Sequence, residues 1–284
     1  MTQSLRQIRR RIRSIESTEK LTHAMEMIAV SKLRPLQERL GIYAEYFLKA
    51  DEILRHFLTN FSALEHPFLK EKEKKQKLTL CIITSDTGLC GSHNYDMIRA
   101  TEKFIAEQKV CQVSLICVGK KGFIHFKKGG FKITDAIIDT HGRYSQGSLD
   151  KISQRLIDLF LKGEADEVYV AYTRFVSVSR RRPTIEKILN LTVAPGASTQ
   201  YLIEPNSSTY AGDFIPFYIL TKIRFMMLNS LVCEHSARGM AMEEATDNAK
   251  EMLEGLVIFR NKVRQANITR EIIEVISSAN ALKG

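Results

Sequence analysis

The sequence predicts an α/β protein in which two long helices, one at each end, pair as an antiparallel coiled coil and flank a small α/β domain. Three observations predict it. Apolar residues recur at steps of three and four from Leu5 to Phe57. Short apolar runs then alternate with helical patterns between residues 77 and 212. From Asp213 to about Leu282 the only proline is Pro216 and the only glycines are Gly239 and Gly255, so little interrupts a helix. The expected organisation is an N-terminal coiled-coil helix and linker over 1–76, an α/β globular domain and connecting loop over 77–212, and a C-terminal coiled-coil helix over 213–284.

The first helix opens at Ser4-Leu5-Arg6-Gln7, where Ser4 and Gln7 can satisfy exposed amides as a capping box. Its seam reads Leu5, Ile8, Ile12 and Ile15, then Ala29, Leu33, Leu36, Leu40, Tyr43, Phe47, Ala50, Leu54 and Phe57. A seam this long packs against another helix. Pro35 lies inside it and offers no amide to the carbonyl of Ser31. An interior proline costs about 3 kcal/mol, so a kink or a break in the ladder is expected there.

The charged run Lys70 to Lys77 reads as a solvated linker. Strands follow at Leu78–Thr84, Val113–Val118, Ile133–Ile138, Val168–Phe175 and Ile185–Leu191, with helices near Asn94–Gln108, after Lys120, and near Leu149–Leu161. Strands alternating with helices imply a mainly parallel sheet. In the last helix Asp213 is the expected N-cap and Pro216 falls in the first turn, where a missing amide does no harm. The roughly 70 residues that follow would extend about 105 Å, so the helix must leave the globular body. Its seam includes Ile223, Met227, Leu231, Ala241, Ala245, Ala249, Met252, Leu256 and Val263, and the small residues between Ala237 and Ala249 allow close backbone approach.

Composition narrows the function classes. Of 284 residues 44% are hydrophobic and 26% charged, the balance of a folded globular chain. No uninterrupted apolar run reaches the length of a membrane span, and Met1 to Arg13 lacks an apolar signal core, so this Arg-rich start reads as part of the mature helix. The net charge of +10 raises the possibility of nucleic acid. However, nine bases against four acids crowd residues 1–40 on a helix with an apolar seam and no interleaved aromatics. That pattern favours an acidic protein partner or a solvated face.

The cysteines Cys81, Cys90, Cys111, Cys117 and Cys233 are odd in number and contain no C-x-x-C pair. Free thiols in a reducing compartment are expected.

Thr84-Ser85-Asp86-Thr87-Gly88-Leu89-Cys90-Gly91 turns from a strand into a helix, a position that binds phosphate in many α/β proteins. Its glycines fit neither phosphate-binding pattern, and a tight structural turn is the better reading. Cys90, beside a helix start, is a candidate for a depressed pKa. The histidines show no metal-ligand spacing and no G-x-S-x-G elbow is present, so no catalytic, cofactor-binding or metal-binding residues are predicted. Arg264, Gln265 and Glu271 lie in a helix too long for its partner to cover. Beyond them Ile268, Ile272, Val275, Ile276, Ala279 and Leu282 form an apolar stripe with no partner in the chain, the mark of a protein contact.

Four blocks in order carry a resemblance. Ala24-Met25-Glu26-Met27-Ile28-Ala29 with Ser31-Lys32-Leu33, Ser85-Asp86 with Gly88-Leu89-Cys90-Gly91 and Asn94, Ala245-Thr246-Asp247-Asn248-Ala249, and Asn261-Lys262 with Arg264-Gln265-Ala266 and Ile268-Thr269 resemble the gamma subunit of F-type ATP synthases, from near Ser4 to Leu282. The resemblance implies a small Rossmann-like α/β domain and a non-catalytic central stalk, or rotor, of the proton-translocating complex. It implies that the coiled coil enters a ring of alpha and beta subunits, while the α/β domain meets the c-ring and the epsilon subunit. Contact with alpha and beta is implied for Met25, Arg238, Arg264, Gln265, Thr269, Glu271, Ile272 and Ile276, and contact with the c-ring for Tyr201 and Glu204. No cofactor and no nucleic acid is implied. Membrane association would come through the c-ring only, making a peripheral membrane protein on the cytoplasmic face of the bacterial inner membrane or its organellar equivalent.

The chain departs from the family pattern at His23, Pro35, Thr87, Ser92, Gly239 and Glu243. The segment from Leu191 to Asp213 is also too short for the regulatory insertion of chloroplast relatives. The alternatives are a coiled-coil scaffold or nucleic-acid-binding protein, and a small nucleotide-dependent enzyme.

Overall fold

A computed structural model describes residues 5–60, 66–69, 76–108, 112–139, 146–191 and 207–281. The elements are α1 (Leu5–Asn60), β1 (Lys77–Ile83), α2 (His93–Glu107), β2 (Gln112–Val118), α3 (Lys120–Lys128), β3 (Ile133–Ile137), α4 (Gln146–Leu161), β4 (Glu167–Phe175), β5 (Arg181–Leu189) and α5 (Ser207–Ala281). Each strand and helix read from the periodicity is present. Two compact units result: Val30–Arg238, and the ends Met1–Ala29 with Gly239–Gly284.

In the larger unit the sheet order is β3-β2-β1-β4-β5. β1 pairs in parallel with β2 and β4, β2 pairs in parallel with β3, and β5 joins β4 antiparallel at one edge. Central β1 alternates its faces with the two-residue period of a strand. Leu78, Leu80 and Ile82 enter one apolar cluster with Met97 of α2 and Phe126 of α3. Cys81 and Ile83 enter the other, with Ala50, Leu54 and Phe57 of α1, Leu156 of α4, and Ile215, Ile219, Ile223 and Met227 of α5. Both faces of β1 are thus covered, as parallel strands require. The chain crosses from one side of β1 to the other between β3 and β4, so a right-handed connection sends α4 to the face opposite α2 and α3.

Aromatic contacts tie α1 to α5 within this unit. Phe47 stacks on Phe225 with ring centroids 4.8 Å apart, and Phe57 meets Tyr210 at 5.3 Å. The Tyr218 hydroxyl donates to Asp51 Oδ1 at 2.8 Å. Falling numbers on α5 match rising numbers on α1, so the pair is antiparallel, as expected. In the smaller unit α1 and α5 again pair antiparallel. Ile8, Ile12, Thr22 and Ala29 are buried with Met242, Thr246 and Ala249. Thr246 Oγ1 lies 2.8 Å from Thr22 Oγ1. Nearer the termini the pair opens a groove lined by Arg11, Ser14, Ile15, Met252, Gly255 and Leu256.

Two expectations need correction. α5 begins at Ser207, so Asp213 lies inside the helix rather than at its N-cap, and Pro216 lies beyond its first turn. α1 is continuous helix through Pro35. The missing donor removes one rung, while the proline φ suits a helix and the flanking turns hold the conformation. Secondly, α5 does contain a segment long and apolar enough to cross a membrane, although 61% of that segment is buried inside the fold. Four charged residues between Lys222 and Arg238 punctuate the run in the sequence, but the fold covers this stretch on all sides, and every residue from Asn229 to Ala237 is buried.

The closest backbone approach is at Gly119, between β2 and α3. Its φ is +93°, and an added Cβ would collide with the Thr84 carbonyl oxygen. Gly119→Ala is expected to destabilise the larger unit by about 2–4 kcal/mol, combining backbone strain with overpacking. Chemical denaturation of the two chains side by side would measure it, and Gly130→Ala, where a Cβ would meet nothing within 4 Å despite a φ of +73°, is expected to lose less.

Candidate functional site

In an open parallel sheet the crevice for a ligand lies beyond the carboxyl ends of the strands, where the strand order reverses. Here that point is between β1 and β4. The protein fills it with its own groups. β1 pairs with β4 only as far as Ile82 and Ala171. β4 runs on, and its next free amides are taken by α5: Thr173 N–H donates to Ser230 Oγ and Phe175 N–H donates to Asn229 Oδ1, both at 3.1 Å. The Cys233 thiol donates to Thr173 O at 3.5 Å, and Ser236 Oγ donates to Val178 O at 2.7 Å.

Thr173 therefore turns both backbone groups toward α5 and away from its antiparallel neighbour Pro183. Pro183 sits in an edge strand where its missing N–H breaks no rung.

The strand-to-helix turn after β1 closes on itself. Thr84 Oγ1 donates to Val118 O at 3.1 Å and accepts from Gly122 N–H at 3.0 Å. Asn94 Oδ1 accepts from Ser85 N–H at 2.9 Å, and Asn94 Nδ2 donates to Ser85 Oγ at 2.7 Å. Asp86 Oδ1 accepts from the amides of Lys120 and Asp139 at 3.0 and 3.1 Å, so the start of α3 is already capped by a carboxylate. Groups that would face a phosphate in a nucleotide-binding protein are committed internally.

Arg238 of α5 grips the tip of this turn. It donates to Thr87 Oγ1 at 2.9 Å, to Gly88 O at 3.4 Å and to Glu234 Oε1 at 2.8 Å. The Arg238 and Glu234 side chains are only 12% and 9% exposed. Burial pushes the Glu234 carboxyl above its ordinary range, against the pull of Arg238. Leu89, at the tip, holds a left-handed φ of 60° and is exposed.

Sequence reasoning singled out Cys90 for a lowered pKa, and this is corrected. The thiol is buried, and burial raises its pKa despite the hydrogen bond from Ser85 and the charge of Arg238. Cys81, Cys117 and Cys233 are likewise buried free thiols, while Cys111 lies outside the described residues. Among the described residues no cluster of metal-ligand side chains occurs.

The tip of α5 is the opposite case. Among the described residues none beyond Ala249 is buried. Ile268, Ile272, Ile273, Val275 and Ile276 are about half exposed or more, at 48%, 53%, 58%, 67% and 54%. Arg264, Gln265 and Glu271 are exposed, and Thr269 Oγ1 returns to Gln265 O at 3.0 Å. Met25 on α1 is half-buried. Of the predicted contact residues, then, Arg264, Gln265, Thr269, Glu271, Ile272 and Ile276 share one uncovered helix end, whereas Arg238 is engaged inside the larger unit. Tyr201 and Glu204 lie outside the described residues. Sequence reading missed Asn229 and Ser230. The available signal was two adjacent polar residues between Leu228 and Leu231 in an otherwise apolar helical run.

Residues 4–282 match the protein family described as ATP synthase. The ATP synthase gamma chain of Desulfitobacterium hafniense is 37% identical over 281 residues, and that of Protochlamydia amoebophila 36% over 284, each alignment covering 99% of both chains. Among solved structures, a chain of the Euglena gracilis mitochondrial ATP synthase (OSCP/F1/c-ring) superposes with a TM-score of 0.68 at 16% identity, covering 98% of this chain and 94% of that one. A chain of the Tetrahymena thermophila mitochondrial ATP synthase central stalk and c-ring gives 0.62 at 20% identity, covering 79% and 99%.

Two buried histidines generate a pH prediction. His93 and His235 are 5% and 7% exposed, and the Nδ1 of each lacks a hydrogen-bond partner. Burial first, then Arg181 and Arg238 for His93, and Arg238 and Lys32 for His235, lower both pKa values from 6.5 to about 4. The unfolded chain therefore binds more protons between pH 6.5 and 4. Stability should be full above the unfolded pKa and fall as pH drops through this window. Glu234, whose pKa is raised, opposes the trend at its acidic end. Thermal melts from pH 8 to pH 4.5 should show the decline, and His235→Gln should flatten it; a parallel decline in the variant would remove His235 as a cause.

Proposed function

The chain belongs to the ATP synthase gamma family, and from that premise we propose that it is the non-catalytic central stalk of a rotary F-type enzyme. It couples ion-driven rotation of the c-ring to conformational change at catalytic sites carried by the alpha and beta subunits. The observation that carries the reading is the uncovered apolar end of α5, which the family relationship supplies with an occupant. A shaft turning inside a ring needs a surface that holds without locking. Burial of apolar area is non-directional, so it favours enclosure at every angle and sets few orientation-dependent barriers. Five side chains of this size could contribute several kcal/mol to assembly before ordering costs are subtracted.

Charged groups have the complementary role. The exposed Arg264 guanidinium suits a carboxylate or carbonyl cluster on a beta subunit, and its bonds hold only at some angles. Gln265, Thr269 and Glu271 extend the same contact, with Met25 and Arg238 further along the helices. Tyr201 and Glu204 are the proposed contacts with the c-ring. The α/β domain meets the epsilon subunit, and attachment to the membrane is through the c-ring alone, on the cytoplasmic face in a bacterium. The nucleotide-enzyme alternative loses support because the crevice at the strand switch point is filled by α5 and Asp86. The nucleic-acid alternative gains no support from the family match.

Arg264→Ala is expected to lower ATP turnover by the assembled complex about three- to tenfold, the loss of one charge-assisted contact, while the melting temperature of the isolated chain stays within about a degree. A large drop in melting temperature with unchanged turnover would make Arg264 structural. Replacing Ile272 and Ile276 together by Asp is expected to reduce the yield of complex and leave amide-exchange protection of the α/β domain intact. Undiminished assembly would defeat the bearing role.

A further inference from the structure

We infer that Ser230 and Asn229 are positioning residues that carry torque, by locking the register of α5 onto β4. The inference rests on the stalk reading above. It starts from a difference between two kinds of contact along the same stretch of helix. Ile215, Ile219, Ile223, Met226 and Met227 pack into the apolar cluster. Such packing resists separation, but it has little directional preference and resists shear less strongly. From Arg224 onward other bonds are directed and spaced along the helix. Arg224 Nη2 donates to Asp150 Oδ1 at 2.9 Å, Asn229 and Ser230 accept from the amides of Phe175 and Thr173, Ser236 donates to Val178 O, and Arg238 grips Thr87 and Gly88.

Of these, the pair on β4 is best placed to fix register. Asn229 and Ser230 are 2% and 3% exposed, so water cannot replace them as acceptors. Their partners are backbone amides of a central strand rather than flexible side chains. A shift of α5 by one residue would leave the buried Thr173 N–H and the partly buried Phe175 N–H without their acceptors, the expensive outcome for a hydrogen bond. Asn229 is itself held, since its Nδ2 donates to Phe225 O at 2.9 Å. In the stalk, load enters at the α/β domain and leaves through the long helices, so a joint that yields would let hydrolysis run without turning the domain.

The test uses the intact complex in sealed vesicles, with ATP hydrolysis and ATP-driven ion pumping measured on one preparation. The variants are Ser230→Ala and a control, Thr221→Ala. Thr221 is buried, and its hydroxyl donates to Phe217 O in its own helix at 2.9 Å, so the control deletes a buried hydroxyl without touching the joint. Ser230→Ala is expected to lower pumping per ATP hydrolysed by about half, with a loss of melting temperature larger than the control's, because it leaves the Thr173 N–H without its acceptor. Ser230→Thr, which keeps the acceptor, is expected to restore the ratio. An unchanged ratio in Ser230→Ala would overturn the inference, as would an equal loss in Thr221→Ala or a loss that Ser230→Thr does not repair. Should Ser230→Ala fail to assemble, Ser236→Ala removes a bond from the same row and carries the test with the same two outcomes. Failure of the parent chain to assemble with alpha and beta subunits would instead sink the stalk reading itself.

Discussion

On the side of β4 that β1 no longer reaches, two backbone amides have no strand to pair with, and the side chains of Asn229 and Ser230 accept them. The placement of α5 on the sheet depends on that constraint. A buried amide must find an acceptor, and a helix that supplies one is fixed in register to the nearest residue. With the register set, Ile219, Ile223 and Met227 reach the apolar cluster beneath, Arg224 reaches Asp150, and Arg238 reaches the turn at Thr87 and Gly88. A single apolar face would have brought the helix to the sheet without deciding where along it to stop.

The same contacts account for an α/β domain with no room at its switch point. The sheet order is that of a nucleotide-binding architecture. Asp86 nevertheless caps α3 with a negative charge where a phosphate would sit, and α5 lies across the end of β4. The crevice has become a socket for a helix. Fold alone would have suggested a ligand site at this point; the side chains in the crevice instead bind the protein's own backbone.

Along α5 the chemistry changes from directional to non-directional. Between Arg224 and Arg238 the side chains of Asn229, Ser230 and Ser236 are buried and hydrogen-bonded, and Arg238 pairs with Glu234. Past Ala249 nothing among the described residues is buried, and the isoleucines of the tip are left to solvent. For a rotor this is a sensible division. A joint needs geometry that cannot slip, whereas a bearing needs attraction that does not depend on angle.

Much of this was legible in the sequence because it is periodic. Leu78, Leu80 and Ile82 alternate with Cys81 and Ile83 and thereby specify a strand buried on both faces, and the three- and four-residue steps from Leu5 to Phe57 specify a helix with one seam. The uncovered tip was legible too, since α5 outlasts its partner by simple length. What the sequence left open were matters of contact between distant segments. A helix start beside Cys90 suggested a reactive thiol, but burial beneath the turn raises its pKa. Pro35 removes one rung of α1, yet the neighbouring turns carry the helix on through it. Asn229 and Ser230 read as two polar residues in an apolar run, because their meaning lies more than fifty positions away in Thr173 and Phe175. Periodicity is set by the backbone of each element and can be read along the chain, whereas the partner of a buried polar group is chosen only when the elements meet.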